Sequence, residues 1–176
     1  MGNFKREVIC TISVLVIIFV FMVSGFLMMR KIIPIEYKSQ IIKEASQNGI
    51  EPEFIASVIF AESRFDKNAK SSKGAVGLMQ LMPSTAKSFY KGENFSESML
   101  YSASENIKIG SAYLKYLFDK YNDEVTVLAC YNAGEKIVIK WINGESKLKK
   151  SQIEYKETLK YIEKVQKMKK IYKIYF

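Results

Sequence analysis

Residues Val8 to Met29 read VICTISVLVIIFVFMVSGFLMM, a run of 22 residues without a charge. About 20 apolar residues wound as a helix cross the hydrocarbon core of a bilayer. The run therefore reads as one N-terminal transmembrane helix. A cleaved signal peptide is the alternative, but its apolar core is usually about 7–15 residues long and ends at a small-x-small site. This run is longer, and only Val23-Ser24-Gly25 resembles such a site, so an uncleaved anchor is expected. The flanks do not orient it, with Lys5 and Arg6 before it and Arg30 and Lys31 after it. The expected organisation is an anchor over 1–30, a linker over 31–36 and one domain over 37–176.

No His occurs among the 176 residues, which removes Ser-His-Asp and Cys-His catalysis and the usual His-built zinc sites. Cys10 lies inside the apolar run and cannot sensibly meet Cys130, so neither a disulfide nor a metal site is expected. No cofactor is implied. Chemistry falls to carboxylates, hydroxyls, amides and Tyr. A net charge of +9 points to an acidic partner: nucleic acid, anionic lipid or an anionic wall polymer. Ten Lys lie between Lys147 and Lys173, spread around a helical pattern as on a solvated face. No aromatic-basic single-strand motif accompanies them, so nucleic acid is not an expected partner.

Beyond the apolar run the periodicity is helical, with no alternation long enough for a substantial sheet. Helices are expected over Tyr37–Asn48 with Gly49 as cap, from Pro52 through PEFIASVIFAES, and from Pro83 through Phe89. Further helices are expected over Asn106–Tyr121, Val125–Ala133 and Ser151–Tyr172. Lys67–Gly77 and Lys91–Tyr101 read as loops. The domain is mainly α.

Three stretches stand out chemically. Glu62 falls four residues beyond Val58 and seven beyond Ile55, on the apolar face of its helix. A carboxyl held there has its pKa raised, as a general acid near neutral pH requires. A helix-end Glu paired with Arg64 or a Lys is the plainer reading. Gly74-Ala75-Val76-Gly77-Leu78-Met79-Gln80 lets backbone approach closely and offers an amide, or is an ordinary joint between helices. Tyr131 and Asn132 end an apolar helix before Gly134, where they could orient a carboxylate or sugar, or merely complete a capped helix.

Taken together, AESRF at 61–65, GAVGLMQLMPSTA at 74–86, ENIKIGSAYLKYL at 105–117, YNAG at 131–134 and ETLKYIEKV at 157–165 resemble the soluble lytic transglycosylase catalytic domain. Their order and spacing resemble it too, over roughly residues 35–170. The resemblance implies a lysozyme-like fold with a groove for peptidoglycan glycan strands, alternating N-acetylglucosamine and N-acetylmuramic acid. It implies Glu62 as catalytic acid and base, with Ser63 contacting substrate or intermediate. It implies Met79 and Gln80 lining the groove, Tyr131 and Asn132 flanking Glu62, and Glu157 and Tyr161 forming sugar sites. Two departures stand apart from that chemistry: Cys130 where the family usually has Ala, and Glu51 where a capping Asp is common.

The activity so implied is cleavage of the β-1,4 bond with a 1,6-anhydromuramoyl end. Most glycosidases use two carboxylates, and only Glu62 is convincing here. Asp66, Glu93, Glu97 and Glu105 have no motif of their own. A lysozyme-like hydrolase and a non-catalytic wall-binding module tethered to the membrane are the alternatives. For wall glycan to be the substrate, the domain must lie outside the cytoplasmic membrane. A wall-spanning assembly is a further partner the resemblance suggests.

Overall fold

The computed structural model describes the backbone of residues 2–176 and the side chains of Arg6, Ile9, 11–25 and 33–176. It divides into two units, Met1–Ile35 and Glu36–Phe176. The first is a single helix, α1 (Gly2–Ile32). Its described side chains from Thr11 to Gly25 are exposed. Among the described residues, no helix is long and apolar enough to cross a membrane. The anchor expected over Val8–Met29 lies partly outside the described residues, and the described part alone does not carry it.

The second unit is built from α2 (Lys38–Asn48), α3 (Pro52–Ser63), α4 (Pro83–Phe89), α5 (Ala103–Tyr121), α6 (Glu124–Ala133), α7 (Glu135–Ile142) and α8 (Lys156–Tyr172). Among the described residues its only β pairing is the pair of isolated bridges Lys70–Val76 and Val76–Leu81. Several boundaries follow from local chemistry. Gly49 closes α2 in the left-handed region, φ 63°, where a glycine carries no Cβ penalty. Pro52 opens α3 with its φ already helical, while Glu51 makes no side-chain cap and instead pairs with Lys169 at 2.5 Å. Asp123 caps α6 by accepting from Thr126 N at 2.9 Å.

α3 is the centre of the domain. Its residues from Phe54 to Phe60 are all buried, so no polar face exists. Phe54 meets Phe118 of α5 edge-on at 5.1 Å, and Phe60 meets Tyr172 of α8 at 6.2 Å. Each fully buried Ile or Val contributes about 1.5–3 kcal/mol. The amphipathic reading of this helix therefore needs correction. Glu62 follows a stretch that neighbours wrap on every side, and is itself half-buried.

Three helical expectations differ from the structure. α5 begins at Ala103, three residues before Asn106. α8 begins at Lys156 and not at Ser151: Lys150–Gln152 form a short 3-10 turn, and Ile153 is buried in the connection. Tyr155 packs edge-on against Trp141 at 4.9 Å, which holds that connection on α7 and delays the helix. α7 itself is unforeseen, because EKIVIKWI is short and β-branched, a pattern that suits strand as well as helix.

Candidate active site

α3 stops at Ser63, one residue after Glu62. Arg64 and Phe65 both take left-handed backbone, φ 55° and 69°, a costly conformation for side chains with a Cβ. Phe65 is paid back by burial, 4% exposed, with its ring 6.0 Å from that of Tyr172. The turn puts Glu62 in the last turn of a buried helix. The Ser63 hydroxyl donates to Leu78 O at 2.8 Å and to Ile59 O at 3.3 Å, tying the helix end to the following loop.

That loop is organised by Asn106, a residue the sequence reading left inside a helical stripe. Asn106 is fully buried. Its Oδ1 accepts from Met79 N at 2.8 Å, and its Nδ2 donates to Leu100 O at 2.8 Å and Val76 O at 3.0 Å. All its amide partners are backbone groups of the loop or its neighbour. Gly77 sits directly against that amide at φ 79°, and a Cβ there would collide with it. Gln80 is left-handed, φ 45°, and its Nε2 donates to Ala69 O at 3.1 Å and Gly77 O at 3.0 Å. A strained non-glycine held by two hydrogen bonds marks a position where the surroundings over-determine the backbone.

A groove of about 430 Å³ opens above this frame. Glu62, Gln80, Tyr131, Asn132 and Glu157 all line it, together with Ser71, Lys73, Thr85 and Tyr113. The other expected site residues stand beneath or behind it. The Met79 side chain is fully buried against Gly110, which corrects its expected place in the lining. Only its carbonyl engages a groove residue, accepting from Tyr131 Oη at 2.8 Å. Ser63 points to Leu78 O, away from the lining. Tyr161 is 8% exposed, and its hydroxyl is buried beside Glu62. It faces Glu62 closely enough to act on it as a dipole.

Burial pushes the Glu62 carboxyl up to about 7, against smaller opposite pulls from Tyr161 and Lys164. Burial, and then the nearness of Glu62, raise Tyr131 and Tyr161 well above the usual phenol range, so both stay neutral donors. Lys164 Nζ donates to Ala61 O at 2.7 Å, beside the helix end that carries Glu62. Asn132 Oδ1 accepts from Thr158 Oγ1 at 2.8 Å, which leaves its amide nitrogen for the groove. Cys130 is buried, and its thiol is pushed up to about 12 by burial, so it is inert.

Asp66 and Glu97 lie outside the groove lining. Asp66 is exposed and accepts from Asn68 N at 2.9 Å. Glu97 pairs with Lys70 at 3.0 Å. Glu157 is the second carboxylate of the groove, and it is exposed. Such a set can hold a proton near neutrality at one atom, present amide and hydroxyl donors around it, and receive a polar chain along a cleft. Among the described residues no group of acids or Cys could hold a metal ion. The residues that sequence reasoning missed are Asn106, Thr158 and Lys164. The first was legible as an amide on the apolar face of α5; the other two lie within the ETLKYIEKV stretch, which was read only for Glu157 and Tyr161.

The groove continues past Thr85, Tyr113 and Gly134 onto an aromatic shelf. There Tyr113 and Tyr116 lie nearly parallel, 17° apart with centroids 6.5 Å apart, and Phe89 packs on both at 5.0 and 5.4 Å.

Comparison with known proteins gives a consistent picture. The family model described as "Transglycosylase SLT domain" matches residues 39–154. The chain is 33% identical over 118 residues to membrane-bound lytic murein transglycosylase C of Actinobacillus pleuropneumoniae, covering 60% of this chain and 32% of that protein. It is 31% identical over 118 residues to the soluble lytic murein transglycosylase of Escherichia coli, covering 64% of this chain and 18% of that protein. The chain thus spans a third or less of the length of these relatives. Among solved structures, the inactive Glu-to-Gln mutant of lytic transglycosylase Slt from Pseudomonas aeruginosa superposes with a TM-score of 0.73 at 31% identity, over 80% of this chain and 24% of that one. The 70 kDa soluble lytic transglycosylase of Escherichia coli does so with a TM-score of 0.75 at 28% identity, over 83% and 25%.

Proposed function

The chain belongs to the transglycosylase SLT domain family, and from that membership we propose that it is a peptidoglycan lytic transglycosylase with Glu62 as its single acid and base. The observation that carries the reading is the Glu62 carboxyl at the end of a helix buried from Phe54 to Phe60, open to the groove and raised to about 7 by burial. A carboxyl of that kind is half-protonated near neutrality and can both give and take a proton. The relatives' names and the inactive Glu-to-Gln neighbour support the same reading.

In the mechanism, Glu62 protonates the glycosidic oxygen as its bond to the anomeric carbon breaks. With no second carboxylate buried beside it, the substrate's own 2-acetamido group stabilises the anomeric carbon, as in substrate-assisted glycosidases. Glu62 then takes the proton of the muramic acid C6 hydroxyl, which attacks the anomeric carbon and closes a 1,6-anhydro ring. Gln80, the amide nitrogen of Asn132 and Glu157 hold the sugars from the lining. Tyr161 acts on Glu62 as a neutral dipole, while Tyr131, its hydroxyl bound to Met79 O, holds the wall of the groove beside it.

Residues Val8–Met29 serve as a membrane anchor in this reading, with the domain of residues 37–176 on the wall side. The uncharged run and the membrane-bound relative support it. Protease added to intact protoplasts should remove the domain.

A hydrolase would recruit Glu157, the other groove carboxylate, to activate water. Mass spectrometry of digested peptidoglycan separates the readings. The transglycosylase yields fragments one water lighter than hydrolysis, with no reducing end. Fragments carrying ordinary reducing ends would overturn it in favour of the hydrolase.

A further inference from the structure

Phe89, in the last turn of α4, lines three hollows, two of which bear on binding. One is the aromatic shelf that continues the groove. The other is a cavity of about 240 Å³ between α2, α5 and the end of α4, in which Glu44, Glu105, Lys91 and Lys108 are the charged groups. Glu44 is the unusual one. It is 2% exposed, and Gln40 Nε2 donates to its Oε1 at 3.1 Å. Among the described residues no cation pairs with it, and none of the other three charges of the cavity joins an ion pair either.

Elsewhere in the domain the ion pairs include Lys70 with Glu97, Lys120 with Glu135, and Lys169 with both Glu51 and Glu124, none of them at this cavity. A buried carboxylate without a counter-charge is unfavourable by itself. Two acids and two bases around one hollow, none satisfied by another, leave complementary charges for a ligand that carries both signs. The size agrees: the cavity falls below the roughly 300–1,000 Å³ of pockets for drug-sized ligands and suits one amino-acid-sized group.

We propose that this cavity binds the zwitterionic end of a short peptide, with its ammonium against Glu44 and Glu105 and its carboxylate against Lys91 and Lys108. The proposal rests on the transglycosylase reading for its source of ligand, because the peptides attached to wall glycan carry such ends. Tyr90 and Phe89 supply the apolar wall for the intervening side chain. The enzyme would then hold its polymer at two places, by sugars at Glu62 and by a peptide end at Glu44.

Titration calorimetry on the full chain in detergent micelles tests this with a free wall tetrapeptide that carries amine and carboxylate groups. Saturable binding is expected, lost when the peptide amines are acetylated. Glu44→Gln keeps the Gln40 contact and should weaken binding about tenfold, the loss of one charge-assisted hydrogen bond. Lys91→Met and Lys108→Met should weaken it similarly. Both Lys are exposed, so they carry the test if Glu44→Gln does not fold. In turnover, the same variants should raise KM for peptide-bearing glycan relative to peptide-stripped glycan.

Absence of peptide binding, or binding indifferent to all three substitutions, overturns the proposal. Peptide binding in a chain that cleaves neither glycan would support the cavity while sinking the transglycosylase reading. Cleavage of both glycans with no peptide binding would do the reverse.

Discussion

The hydroxyl of Tyr131 donates to the backbone carbonyl of Met79 at 2.8 Å, across 52 positions of sequence. The bond fastens the end of α6 to the loop floor on which Gln80 stands, so two walls of the groove move as one. Tyr131→Phe leaves a carbonyl of a fully buried residue without that donor, at a cost of about 1–3 kcal/mol. Urea denaturation should register the loss. Activity should fall through kcat more than through KM, since Glu62 and not the outlying sugar contacts loses its support. A variant with unchanged midpoint and unchanged kcat would show that the bond is idle.

Glu62→Gln should reduce turnover by about 10²–10⁴-fold, the usual contribution of general acid catalysis. It should also change how stability depends on pH. The folded state holds the Glu62 proton up to about 7, above the ordinary 4.5, so its stabilising contribution is complete below 4.5 and is lost as pH rises through 7. At about 1.36 kcal/mol per pKa unit the full loss is on the order of 3 kcal/mol. The variant has no such proton to lose. Its melting temperature relative to the native chain should climb between those two pH values and level off above them. A constant difference across that range would mean that Glu62 is not shielded from water.

The pH profile of activity offers a third measurement. Protonated Glu62 is the acid, so activity should decline as pH rises through about 7. Lys164 pulls that value down. Lys164→Met should therefore shift the declining limb to higher pH, and Lys164→Arg should restore it. Tyr161→Phe should shift it in the same direction as Lys164→Met, because the Tyr161 dipole also favours the carboxylate. A limb that stays in place in both variants would mean that neither group faces the carboxyl.

Two glycines of one loop should respond differently to Ala. Gly74 has φ 88° with open space where a Cβ would stand, so only backbone strain opposes the substitution, about 1–2 kcal/mol. Gly77 has φ 79° and meets the Asn106 amide and the Leu100 carbonyl. Gly77→Ala must displace the residue that organises the loop and should lose on the order of 3 kcal/mol or more, with activity. Equal losses at the two positions would refute the part assigned to Asn106.

What the sequence by itself determined is whatever local chemistry decides. Pro52 and Pro83 start helices because their φ is already helical. Gly49 ends one because a left-handed residue without Cβ is needed there. The same local chemistry marked Glu62 as a carboxylate among apolar neighbours. The loop from Gly74 to Gln80 and the pair Tyr131-Asn132 were legible as motifs, and all three stretches contribute to the groove lining.

Tertiary structure decided what depends on distant partners. Asn106 looks like one polar position in a helix until the loop carbonyls of Val76 and Leu100 close on its amide. Met79 looks like a groove residue until Gly110, 31 positions on, gives its side chain a buried slot. Tyr155 delays α8 only because Trp141 is there to receive its ring. Above all, the acidity of Glu62 comes from enclosure by helices far away in sequence. Periodicity can report the side of a helix on which a residue lies; how much water remains there depends on everything packed around it.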